Sequence, residues 1–236
     1  MCGRIALYED PDHLARMMHA GIEPELLDQY RPSWNIAPTS RILGVYDHRD
    51  GQRELAVFKW GLVPRWAKDP SAITSTFNAR AETVATKPMF RSAMKHSRIL
   101  VPVDAFYEWQ TLAPKVKQPY AFRRADGEPI VFAGLREWWK DAEGHVLNSA
   151  TIITTEAGPD MPIHNRQPVV LEPAKWDLWL DPTVTDVDTL QPLLVPTIRG
   201  TLVRHPVSKD VGNVRNNGPE LIEAIALDGD QGQNSL

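Results

Sequence analysis

The chain has 236 residues, with 26 Lys and Arg against 30 Asp and Glu for a net charge of −4, and a single cysteine. One cysteine excludes an internal disulfide and a cysteine-based metal cluster, and the charge balance argues mildly against a general nucleic-acid binder. No run of about eighteen apolar residues occurs, which argues against a membrane-spanning helix.

Cys2 to Tyr8 gives way at once to Glu9, Asp10 and Asp12, so no signal peptide is expected and a cytoplasmic location is predicted. Eight Trp and 20 Pro predict turns and short strands rather than long helices. In chain order, Cys2 to Leu7 is an opening strand or an extended end, followed by a helix capped by Asp10 or Asp12 and running to about Ala20, with Leu14, Met17 and Met18 on one face. Arg41 to Tyr46 and Leu55 to Trp60 alternate as a hairpin would, around His48-Arg49-Asp50-Gly51. A helix over Pro88 to Lys95 feeds a strand from Arg98 to Val103. Tyr120 to Arg124, Ile130 to Leu135 and Leu147 to Thr154 read as an antiparallel meander with turns at Asp126-Gly127 and Asp141 to Gly144. Glu172 to Leu180 reads as a helix carrying Trp176 and Trp179. Neither a repeat nor a linker divides the chain. The expectation is one α+β domain over residues 2–226, largely antiparallel and barrel-like with inserted helices, and a polar, disordered tail at 227–236.

Chemistry is sought where reactive groups interrupt apolar runs. Cys2 directly follows the initiator Met1. With Met1 removed, as is usual before a small residue, Cys2 becomes a 1,2-aminothiol. Its amine, of pKa about 8, can condense with an aldehyde to an imine, and its thiol can close on the imine carbon to a thiazolidine. A small hydrophobe tucked into a first strand is the plainer reading of the same residue. Glu108 lies between aromatic residues in Phe106-Tyr107-Glu108-Trp109, where burial would raise its pKa; an outward Glu on an alternating strand would look the same. His164, at a turn-to-strand junction beside Arg166, is the strongest candidate proton shuttle among seven histidines, though a lone His is more often structural. Asn78 could orient a polar reactant and Arg80 could fork a phosphate, but caps and surface pairs explain Asn78-Ala79-Arg80-Ala81-Glu82 nearly as well. Basic residues interleaved with rings, at Arg4, Trp34, Lys59-Trp60, Arg65-Trp66 and Arg80, suit single-stranded nucleic acid. No GxxxxGK[ST], GxGxxG, paired-histidine zinc helix or GxSxG elbow is present, and neither metal nor cofactor is expected.

The opening Met1-Cys2-Gly3-Arg4 is followed by Trp34-Asn35-Ile36-Ala37-Pro38-Thr39, Trp60-Gly61-Leu62-Val63-Pro64-Arg65-Trp66 and Asn78-Ala79-Arg80-Ala81-Glu82-Thr83. Then come Phe106 to Trp109, Ile163-His164-Asn165-Arg166-Gln167-Pro168, and His205-Pro206-Val207-Ser208 with Val211-Gly212-Asn213-Val214. In this order the chain resembles the SOS response-associated peptidase (SRAP) family from residue 2 to about residue 222. The resemblance implies a protein that recognises abasic sites in single-stranded DNA and crosslinks to them through an N-terminal cysteine thiazolidine, shielding the lesion.

Carried over by motif, Cys2 is the crosslinking residue, Asn78 and Glu108 surround its amine, and His164 lies on the sugar side. Arg4, Pro38, Trp66, Arg80 and Arg166 match DNA-contacting positions. The resemblance also implies an autocatalytic removal of Met1, Schiff-base chemistry akin to a lyase, a monomer, and nucleoid association when bound to DNA. Where some relatives place a second tryptophan after Trp66, this chain has Ala67, which puts a two-ring wedge in doubt. Rival readings are a thiol peptidase acting in trans with Cys2 as nucleophile, a non-catalytic single-stranded DNA-binding module, and an abasic lyase.

Overall fold

Short apolar runs punctuated by Pro, Gly and Asp become thirteen strands in the computed structural model, which describes residues 2–73 and 75–227. The strands are β1 (Ile5–Leu7), β2 (Gly21–Ile22), β3 (Ser33–Ile36), β4 (Arg41–Asp47), β5 (Arg53–Trp60), β6 (Asn78–Arg80), β7 (Arg98–Val103), β8 (Ala105–Ala113), β9 (Val116–Arg124), β10 (Ile130–Lys140), β11 (Val146–Glu156), β12 (Arg166–Pro168) and β13 (Leu202–Pro206). Five short helices are inserted among them: α1 (Pro11–Met17), α2 (Leu26–Gln29), α3 (Arg91–His96), α4 (Trp176–Leu180) and α5 (Val187–Leu190). Except for Leu227, the expected tail at 227–236 lies outside the described residues. No helix among the described residues is long and apolar enough to cross a membrane.

Two assemblies share the core. In the first, β5, β4, β7, β10 and β11 pair antiparallel in that order. A parallel contact of β11 with β5, at Ser149↔Lys59 and Ala150↔Trp60, closes them into a five-stranded barrel. β7 is buried at every position, which its continuous Arg98-Ile-Leu-Val-Pro-Val run requires. So small a barrel needs close backbone approaches: a Cβ on Gly134 would lie 2.9 Å from the Thr151 carbonyl oxygen and 3.0 Å from Ile99. In the second, β13, β9, β8, β1 and β3 form an antiparallel sheet. Phe106 joins the two assemblies, stacking on Phe122 of its own sheet at 5.0 Å and meeting Phe132 of the barrel edge-on at 5.6 Å. Such ring pairs contribute about 0.5–1.5 kcal/mol each beyond the area they bury.

The expected α+β, barrel-like single domain is what the chain forms, with local differences. The hairpin of β4 and β5 is in place. α1 is capped by the Asp10 carboxylate, which accepts the Asp12 and His13 amides, and it ends before His19 takes a left-handed φ of 54°. α3 starts at Arg91 rather than Pro88, because residues 87–90 form a turn in which the Lys87 carbonyl accepts the Phe90 and Arg91 amides. The expected meander through Tyr120, Ile130 and Leu147 is broken after its first strand. β9 pairs with β8 and β13, whereas β10 pairs with β7 and β11, so Asp126-Gly127 carries the chain from one assembly to the other. There Asp126 accepts from the Arg124 guanidinium and the Glu128 amide, and Gly127 supplies a φ of 86°.

Candidate functional site

β1 is bracketed by β8 and β3, with Ile5 opposite both Phe106 and Ile36, so the residues just before it run along the junction between sheet and barrel. β6 lies parallel to β11 with Asn78 opposite Ile152, and β12 lies antiparallel on the other side with Arg166 opposite Glu156. Residues distant in sequence thereby meet at one place. The Asn78 side-chain amide donates to the Cys2 carbonyl at 2.6 Å, and its Oδ1 is buried with no hydrogen-bond partner among the described residues. Glu108, on β8, is 4% exposed, and its Oε2 lies 4.0 Å from His164 Nε2.

Burial sets the protonation of this cluster. It pushes the Glu108 carboxyl above the usual range, opposed in part by His164. It also pushes the fully buried Cys2 thiol up, with Glu108 adding to the effect, so the sulfur is held as a thiol whose weak contact is the Arg4 carbonyl at 3.9 Å. His164 is about one-quarter exposed. Its Nδ1 accepts the Arg166 amide hydrogen at 3.0 Å and lies 3.1 Å from the Arg166 carbonyl oxygen. That amide serves an unprotonated Nδ1 and leaves Nε2 facing Glu108.

The motif arginines Arg4, Arg166 and Arg80 differ in how they are held. The Arg4 guanidinium donates to Asn35 Oδ1 at 2.6 Å and to the Val211 carbonyl, 5.8 Å from the Trp109 ring centroid. Asn35 in turn donates to the Asn213 and Asn216 carbonyls, at 3.0 and 2.8 Å. Asn35 was not singled out from sequence; its place in the Trp34 to Thr39 motif was the available signal. Arg166 forks onto Glu82 at 2.5 and 3.1 Å and donates to the Thr154 carbonyl at 2.6 Å. The Arg80 side chain is exposed and makes no ion pair or hydrogen bond of its own among the described residues, although its charge helps hold the Glu82 carboxyl down; its carbonyl accepts the Thr83 amide at 3.0 Å. Pro38 is half-buried just beyond β3, beside Thr39, whose amide donates to the Trp60 carbonyl at 2.8 Å.

The rings divide cleanly. Trp60 is fully buried and donates to the Phe77 carbonyl at 2.8 Å, which makes it a core residue. Trp66 is 63% exposed. Ala67 beside it is buried, and its carbonyl accepts from Trp139 Nε1 at 2.7 Å. One ring therefore projects from this turn, with Arg65 bound to Glu137 at 2.6 Å and lying over Trp138. Among the described residues, the group with ligand atoms close enough to share a cation is Asp141, Glu143 and His145 on the β10–β11 turn; it includes no residue of the Cys2 cluster.

The chain is similar to known proteins. The model of the SOS response associated peptidase (SRAP) family matches residues 1–214. The chain belongs to the SRAP family. It is 40% identical over 226 residues to the abasic site processing protein YoqW of Bacillus subtilis, covering 95% of this chain and 100% of that one. It is 32% identical over 233 residues to the abasic site processing protein YedK of Escherichia coli, covering 95% and 100%. It is also 32% identical to the abasic site processing protein HMCES of Xenopus tropicalis, covering 85% of this SRAP chain and 68% of the relative. Among solved structures, a protein from Bacteroides thetaiotaomicron superposes with a TM-score of 0.85 at 22% identity, over 95% of this chain and all of its own, which establishes the shared fold.

Proposed function

We propose that this SRAP protein processes abasic sites in single-stranded DNA by joining its terminal residue covalently to the ring-opened sugar. The observation that carries the reading is the clamp of Asn78 on the Cys2 carbonyl at 2.6 Å, which holds the backbone of Cys2 beside a buried Glu108 and a proton-passing His164. Hydrolysis of the Met1–Cys2 peptide bond uncovers the amine. The relatives' names supply the lesion class.

The chemistry follows from the groups at hand. An abasic sugar rests mainly as a closed hemiacetal, and His164 passes the proton from its hydroxyl to the ring oxygen, which frees the aldehyde. The Cys2 amine adds to C1′ to give a carbinolamine. Glu108, whose carboxyl burial pushes above the usual carboxylate range, takes the amine proton and returns it to the departing hydroxyl, so water leaves and an imine forms. The Cys2 sulfur then bonds to the imine carbon while its proton passes to the nitrogen, closing a thiazolidine. That closure is intramolecular, with the large effective concentration such ring formation brings.

The state of the sulfur favours this order. A peptidase acting in trans needs an accessible, low-pKa thiolate, whereas here the thiol is fully buried and burial pushes its pKa up. Amine first and sulfur second suits such a thiol. Intact mass spectrometry, before and after mixing with an oligonucleotide bearing one abasic site, tests the reading. The expected result is a protein lacking Met1 that gains the oligonucleotide mass less one water; processed protein that gains no mass overturns it.

A further inference from the structure

The outer wall of the barrel carries a cleft of about 660 Å³ between the β4–β5 turn, α3 and the far end of β10, and none of the Cys2-site residues lines it. Arg136 is the anomaly within it. Its guanidinium carbon stacks 3.9 Å from the Tyr46 ring centroid, its Nε is buried without a hydrogen-bond partner among the described residues, and burial holds its pKa down. The carboxylates nearby are engaged elsewhere. Asp47 is forked by Arg53 at 2.7 and 3.2 Å, and Glu137 holds Arg65. Glu54 accepts from the Tyr46 hydroxyl and lies 2.7 Å from His48 Nε2. Asp50, exposed in its turn, accepts the Gln52 amide. A buried guanidinium whose Nε has no partner, and whose neighbouring carboxylates Glu137 and Glu54 attract it while bound to other groups, has donor capacity to spare, and the natural complement to its planar fork is an oxyanion.

The rest of the wall is of the same kind. Arg49, His96 and the buried Ser97 line the cleft, and Trp138 borders it under the Arg65 guanidinium. Arg65 is followed directly by the projecting Trp66. We propose that this cleft is a second, phosphate-binding site with Arg136 as its fork, and that its phosphate belongs to the flank of a DNA strand reaching it across Trp66 and Trp138. The choice of a strand rests on the function proposed above; the phosphate chemistry does not. A free phosphate is the other source of the same ligand.

The experiment needs neither a lesion nor a crosslink. Wild type and Arg136→Gln are titrated with inorganic phosphate, read from the Trp138 indole resonance, and with short and long unmodified oligothymidylates at several salt concentrations. Phosphate should shift the Trp138 signal in wild type and not in the variant. The long oligonucleotide should bind the variant about tenfold more weakly, with a salt slope lower by about 1, while the short one binds both equally.

A phosphate-dependent shift without any length effect keeps the site and gives it to a free phosphate. No shift together with no length effect overturns the proposal. If Arg136→Gln does not fold, the exposed Arg49→Ala carries the same test, with about a threefold loss on the long strand and none on the short. A wild-type protein that fails to crosslink yet shows the length effect would retire the Cys2 reading and leave the cleft standing.

Discussion

The junction holding Cys2, Asn78, Glu108 and His164 and the arginine-bearing rim around it are built on opposite principles. At the junction, burial sets the chemistry: it keeps the Cys2 sulfur protonated and pushes the Glu108 carboxyl above the usual carboxylate range, while the Arg166 amide fixes the His164 ring through Nδ1. On the rim, prior commitment sets it. Arg4 and Arg166 are spent on the protein's own oxygens, whereas Arg80 and Trp66 face solvent. Few, large and individually indispensable effects are expected from the first region, and small, salt-screened, additive ones from the second.

The largest break should come at the sulfur. Cys2→Ala retains an α-amine after Met1 removal, so strand scission through a transient imine is expected, but no heat-stable adduct on a denaturing gel. A stable adduct from that variant would make the thiol dispensable. Next in size is Glu108→Gln. Rapid-quench crosslinking should slow by about 10²–10⁴-fold, the usual contribution of a positioned acid–base group.

The same variant tests the burial argument through stability. Because burial raises the Glu108 pKa in the folded chain, the charged form is the one that folding disfavours. The penalty is absent below the unfolded value of about 4.3 and grows as pH rises through the higher folded value. Glu108→Gln should therefore melt higher than wild type at about pH 8, by roughly 2–4 °C for each ~1 kcal/mol relieved, and no differently at about pH 4. A variant that is less stable at both values would mean the carboxylate is held by favourable partners and not merely desolvated.

Much of this was legible in the chain. The rings on both sides of Glu108 allowed its burial without deciding it, since an outward Glu would look the same, and the apolar run at Arg98 to Val103 read as the strand it forms. What the sequence did not reveal was partnership. Nothing in Asp126-Gly127 distinguishes a hairpin turn from a crossing between two assemblies, because the local φ requirement is the same. Arg166 and Arg80 look alike in their motifs, yet only the alignment of β6 and β12 on either side of β11 brings Glu82 onto Arg166 and leaves Arg80 open. Trp60 and Trp66 differ for a similar reason: one faces the closed barrel, the other the turn beyond it.

The rim predictions sharpen that distinction. Trp66→Ala should weaken binding to unmodified single strands by about 1–3 kcal/mol if its ring carries a stacked base, measured by fluorescence anisotropy. With Ala67 buried beneath the turn, the turn itself offers no second ring beside Trp66.

The smallest effect is the most discriminating one. Arg80→Ala removes an exposed cation whose side chain bonds to nothing, and Glu82 keeps Arg166, so the melting temperature should be nearly unchanged while the salt slope of binding falls by about 1. Arg166→Ala should do the reverse. It leaves the Glu82 carboxylate without its donor, while the Thr154 carbonyl keeps only the Ala81 amide, so stability falls, and the slope changes less because Glu82 already neutralises that guanidinium. Glu82→Gln then separates the two roles: it keeps a neutral acceptor beside Arg166 and frees its charge, so the slope should rise above that of wild type. Equal slopes for wild type and Glu82→Gln would mean that Arg166 serves the fold alone and that phosphate contact on this side falls to Arg80.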